Sequence, residues 1–124
     1  MIRTVTIGGK ETPLRCDLNV LAELEHRYGK LENVVDAIQT LAEIREIAAI
    51  MINEAAYADG RRERVTAMAI GRDASLEEAH ALQTGCLMAF YECVYPGRSL
   101  PEAEAGADGE DDPEKKRMPG RTTV

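Results

Sequence analysis

The chain has 124 residues, of which 44% are hydrophobic and 30% charged, proportions of one soluble globular domain with little room for a second. Aromatics are only 4%, with no Trp, so the core must be built from Leu, Ile, Val, Ala and Met. The formal net charge of −7 argues against non-specific nucleic-acid binding, because phosphates would be repelled overall.

No apolar run approaches the roughly 18 residues that span a bilayer, so no membrane association is expected. The opening Met1-Ile2-Arg3-Thr4-Val5 lacks the apolar stretch of a signal peptide, and a cytoplasmic protein is expected. Three cysteines in no metal-like spacing fit free thiols in a reducing compartment.

Ile2, Val5 and Ile7 interleave with Arg3, Thr4 and Thr6, then Gly8-Gly9 precedes Lys10-Glu11-Thr12-Pro13-Leu14. Two extended segments around Gly-Gly predict a β-hairpin, since glycine accepts the positive φ of tight hairpin turns. Pro13 cannot donate to a ladder, so the second strand should be short or at an edge. Asp17 should cap a helix in which Leu18, Leu21, Leu24 and Tyr28 share a face and Gly29 supplies the stop. A short amphipathic piece follows from about Leu31 to Gln39.

Thr40-x-x-Glu43 is a capping box for a helix from Leu41 to about Ala58. Its apolar stripe Leu41, Ile44, Ala48, Met51 and Ala55, widened by Ile47, Ile50 and Ile52, makes it central and buried on most sides. Residues 61–74 hold Arg61, Arg62, Arg64 and Arg72 and predict one short helical turn inside a connector. Ser75-x-x-Glu78 is a second capping box, opening a helix from Leu76 to about Tyr95 that Pro96-Gly97 ends. Leu82, Cys86, Ala89 and Cys93 form one of its faces, flanked by Leu87, Phe90 and Val94.

Residues 101–124 hold three of the five prolines, and Glu102 to Glu114 include seven acidic residues and no basic one. Such a segment buries too little surface to offset its ordering entropy, so a disordered acidic tail is expected. The fold class is therefore mainly α (α+β): an N-terminal β-hairpin and about four helices over residues 1–100, then the tail over 101–124.

No constellation points to catalysis, a metal or a cofactor. Cys86 and Cys93 are two turns apart, about 10 Å along a helix, too far for one metal to bridge. Cys16, near a helix start, has no visible partner base. His26 and His80 lie among helix-surface carboxylates, which charge pairing explains without chemistry. Glu23-Leu24-Glu25-His26 departs from the HExxH pattern, and Gly8-Gly9 is no phosphate loop. The arginine cluster reads as a solvated loop or a patch for an acidic protein surface.

The segment Ile7-Gly8-Gly9-Lys10-Glu11-Thr12-Pro13-Leu14-Arg15-Cys16-Asp17-Leu18-Asn19, then Leu21-Ala22-Glu23-Leu24-Glu25 and Tyr28-Gly29, resembles the start of tail assembly chaperones of long-tailed bacteriophages. The resemblance covers about the first 30 residues; Cys16 and the arginine-rich connector depart from it. It implies a small helical protein, not an enzyme, that binds the long tape measure protein until tail tube subunits polymerise around it, and that is absent from the mature virion. In that family a frameshifted, extended product recruits tail tube protein, and Glu114-Lys115-Lys116 is compatible with an A-rich slippery run. The candidate partner-binding residues lie on the two long helices: Ile47, Ile50, Met51, Leu87, Phe90 and Tyr91. A head–tail connector subunit and a small acidic regulator or DNA mimic are the alternatives.

Overall fold

The computed structural model describes residues 2–97. The chain divides into two units, Met1–Val94 and Tyr95–Val124. The first carries strands β1 (Ile2–Ile7) and β2 (Lys10–Arg15) and helices α1 (Leu18–Tyr28), α2 (Glu32–Ile38), α3 (Leu41–Ala58), α4 (Ala67–Asp73) and α5 (Leu76–Val94). The tail expected over 101–124 lies outside the described residues.

The hairpin forms as the sequence predicts. Gly8 and Gly9 take φ of 61° and 78° at the turn, and the antiparallel register runs from Ile7↔Lys10 to Ile2↔Arg15. The second strand lies at an edge of the two-stranded sheet, as Pro13 leads one to expect, and is nevertheless as long as the first. The reason is register: counting in twos from the closing pair, Thr4↔Pro13 falls at a non-hydrogen-bonded position, where a missing N–H costs nothing. The imperfect alternation of β1 also has a physical cause. Arg3 shares a face with the buried Val5, and its guanidinium forks onto Glu92 of α5 through contacts of 2.8 and 3.2 Å.

The hairpin lies against two helices, β2 on α3 and β1 on α5. Val5, Leu14 and Cys16 enter a core that continues through Val20 and Leu24 of α1 and Val34 and Ile38 of α2. Helix α3 is its centre, with eight buried residues: Ile44, Ile47, Ala48, Ala49, Met51, Ile52, Ala55 and Ala56. Small alanines on α3 let neighbours approach closely, and the bulk comes from its isoleucines and Met51. From α5 come Leu82, Cys86, Ala89 and Phe90.

The caps explain the helix starts. Asp17 accepts the Val20 N–H at 3.1 Å and Thr40 accepts that of Glu43 at 3.2 Å. The Thr40 box is half made, because the Glu43 carboxylate accepts the Tyr28 hydroxyl at 2.6 Å instead and ties α1 to α3. Burial and this bond both push the Tyr28 phenol upward. The connector departs from expectation: its short turn is a seven-residue helix, α4, with Thr66 accepting the Ala69 N–H at 3.1 Å as a cap. Asn53 fixes its approach by exchanging two hydrogen bonds with the Val65 backbone, at 2.8 and 3.0 Å. There are thus five helices in place of about four.

Glu78 does more than close its capping box. It exchanges hydrogen bonds with Ser75 at 3.1 Å each way, and its two oxygens also accept the Gly8 and Gly9 N–H groups at 2.8 and 3.1 Å. Gly8 itself rests on Asp73, so a side chain there would meet the end of α4 at 3.4 Å. The amides of Gly8, Ser75 and Gly9 hold the Glu78 carboxyl below its ordinary value of 4.5. The anion therefore favours the folded state: its contribution is complete above pH 4.5 and disappears as pH falls through the lower folded value. The Gly8 and Gly9 amide resonances should titrate together in that acid range, and Glu78→Gln should abolish the titration. Independent behaviour of the two amides would contradict the clamp.

Candidate functional site

Arg15, Asp17 and Asn19 of the opening motif are absorbed by structure. Arg15 reaches Asp17 at 2.9 Å, and Asn19 donates to Glu54 at 3.2 Å. Partial burial works against ionisation of Asp17, but hydrogen bonds from Glu54, Arg15 and the Val20 amide outweigh it and hold the carboxyl low. Glu54, hydrogen-bonded to Asp17, keeps its proton to higher pH than usual. The Asn19–Glu54 hydrogen bond joins the start of α1 to α3. Among the described residues no three of His, Cys, Asp and Glu converge to hold a metal ion.

The cysteines are core groups. Cys16 and Cys86 are buried and Cys93 is half-buried, all three as free thiols. Burial pushes the Cys86 thiol up to about 12. Cys16 is driven up by burial first and then by the neighbouring Cys93 thiol. Only Cys93 should therefore react with a thiol reagent in the native protein at pH 8, with the other two following on denaturation. Equal native reactivity of all three would contradict the burial.

Two of the four arginines of the connector, Arg61 and Arg64, are engaged locally. Arg61 pairs with Asp59 at 2.9 Å, while Arg64 lies 5.7 Å over the Tyr57 ring and donates to the Arg61 and Glu63 carbonyls. No helix among the described residues is long and apolar enough to cross a membrane.

The candidate partner-binding residues divide by burial. Ile47 and Met51 are 0% exposed and Phe90 is 4% exposed, so these three belong to the core and present no surface. Their stripe on the helical wheel is apolar because α3 and α5 pack against the hairpin and against each other. Ile50, Leu87 and Tyr91 are half-buried and remain partly accessible.

Four of the five most exposed large apolar side chains lie elsewhere, at helix starts, while the fifth, Tyr57, stands near the end of α3. Leu18 is 79% exposed, Leu41 51%, Met68 64% and Leu76 61%. Leu41 and Leu76 converge with Ile44, Ile70 and Leu82 on a groove of about 250 Å³ between the first turns of α3 and α5 and the helix α4. Arg45 is its one charged lining residue. A cavity of similar volume between β2, α3 and α4 is lined instead by Lys10, Glu11, Arg61, Glu63 and Asp73 together with apolar groups. The groove at Leu41 and Leu76 was not foreseen, although its signal is visible. Leu18, Leu41 and Leu76 each directly follow a capping residue, Asp17, Thr40 and Ser75.

No family model matches the chain. Neither a curated protein nor a solved structure matches it.

Proposed function

We propose that the protein is a tail assembly chaperone of a long-tailed bacteriophage, working in the host cytoplasm by binding rather than catalysis. It holds the tape measure protein while tail tube subunits assemble around it, a frameshifted longer form brings tail tube protein, and it is left out of the mature particle. The resemblance of residues 7–29 motivates the reading. The observation that carries it is the apolar groove at Leu41 and Leu76, on a domain whose opening-motif residues Arg15, Asp17 and Asn19 are engaged in a cap, an ion pair and a hydrogen bond. Exposed apolar surface of this kind suits protein association. The acidic-regulator alternative depends on residues 101–124, outside the described region.

The composition of particles tests the reading against the connector alternative. Quantitative mass spectrometry should find the protein in lysates during tail assembly and absent from purified virions. Recovery from virions at the copy number of a ring would overturn it.

A further inference from the structure

The groove between α3, α4 and α5 differs from the rest of the surface in chemistry. Leu41 and Leu76 stand at its edge more than half exposed, and beneath them Ile44, Ile70 and Leu82 close the floor. Such groups in water favour any partner that covers them.

Arg45 supplies the second observation. Its stem crosses Gly71, where an added Cβ would stand 3.0 Å from Cδ, and its guanidinium lies 3.9 Å from the Met68 sulfur. Arg3, Arg15, Arg27 and Arg61 each pair with a carboxylate. Arg45, like Arg62, Arg64 and Arg72, has no carboxylate partner among the described residues, and of these four it alone lines the groove. The groove therefore offers an apolar trough with one open positive charge beside it.

We propose that this groove receives one amphipathic helix of a partner protein, seating two bulky apolar side chains a turn apart and placing a carboxylate of that helix against Arg45. The inference rests on the binding-module reading above and names the site and the chemistry of its partner. Side chains at i and i+3 or i+4 of a helix stand about 5–6 Å apart, a spacing suited to a trough between helices. The volume of about 250 Å³ is below that of pockets enclosing a small molecule, roughly 300–1,000 Å³, and suits side-chain anchors.

Two other occupants fit less well. A second copy docking by the same patch would bring two Arg45 side chains to one interface with no lining carboxylate to separate them. The chain's own residues 101–124 supply acid, but Met118 and Val124 are their only large apolar residues.

The test uses the full-length chain and a designed, fluorescein-labelled helical peptide of about 18 residues. It carries leucines at i, i+3, i+7 and i+10, with glutamates flanking the stripe; a control carries lysines instead. Anisotropy should show saturable binding of the glutamate peptide and binding at least about threefold weaker for the lysine one. Leu41→Glu and Leu76→Glu should each weaken binding about tenfold. Both place a carboxylate in a first helical turn, where the helix dipole favours it, so both should fold. Arg45→Ala provides an independent readout, since it should erase the preference for glutamate over lysine while leaving binding by the leucines.

Equal affinity of the wild type and the leucine variants would overturn the proposal, as would equal affinity for both peptides. A wild-type dimer that Leu76→Glu dissociates, with no peptide binding, would give the groove to a second copy. Particle composition separates the two levels. Failure of peptide binding with the protein absent from virions removes this site alone, whereas presence in virions removes the chaperone reading and leaves the peptide result standing.

Discussion

Replacing Ile47 by alanine is expected to destabilise the protein by about 2–5 kcal/mol, the range for truncating a fully buried aliphatic side chain. Ile47 is 0% exposed on α3, in the same cluster as Ile44 and Met51. Truncation removes its burial energy and leaves a cavity that the close-packed elements around α3 cannot readily fill. The same truncation at Leu76, 61% exposed, should stay within about 0.5 kcal/mol. Urea denaturation of both variants decides the matter. Were Ile47 a partner contact, its alanine variant would keep the wild-type midpoint and lose only binding, and that result would contradict the burial described above.

Gly85→Ala should also destabilise, although alanine is the better helix former by about 1 kcal/mol. Gly85 lies inside α5, beneath the hairpin. A Cβ there would stand 2.7 Å from Val5 Cγ1 and 3.5 Å from Leu14 Cδ1. Val5 is β-branched and buried, so it has no free rotamer into which to retreat. Either β1 lifts from α5 or the helix shifts, and overpacking of this kind costs about 1–3 kcal/mol, more than the propensity gain. Gly71→Ala in α4 is the matched control. There the near atom is Cδ of the flexible Arg45, at 3.0 Å, which can swing aside. That variant should be neutral or up to about 1 kcal/mol more stable. Thermal melting of the pair should therefore give shifts of opposite sign or clearly different size. Stabilisation by Gly85→Ala would mean that the hairpin does not lie on α5 as described.

The fold was largely legible in the sequence, because its signals are local. Gly8-Gly9 fixes the turn, Asp17, Thr40 and Ser75 fix three helix starts, and the apolar content of 41–58 marks the central helix. Helix α4 was harder to see. Its cap, Thr66, sits inside Val65-Thr66-Ala67-Met68, and its stability rests on the Asn53 anchor and on Ile70, which only the tertiary fold supplies. The two-residue clamp of Glu78 on the Gly-Gly turn joins positions 70 apart, so no local pattern announces it.

The candidate surface was legible only in part. A helical wheel shows that Ile47, Ile50, Met51, Leu87, Phe90 and Tyr91 are on long helices, but not how many sides of those helices are covered. The hairpin, α1, α2, α4 and α5 all pack on α3 and absorb Ile47 and Met51. The exposed apolar residues include the leucines that follow helix caps, Met68 near the start of α4 and Tyr57 near the end of α3.

The measurement that tests the central claim most directly is co-expression with the long tape measure protein, followed by affinity capture and size exclusion. The account predicts that the long protein becomes soluble and co-elutes with this chain, and that Leu41→Glu and Leu76→Glu, though folded, recover much less of it. If the long protein stays insoluble while this chain assembles alone into a discrete ring, the account is contradicted and the protein is a connector component.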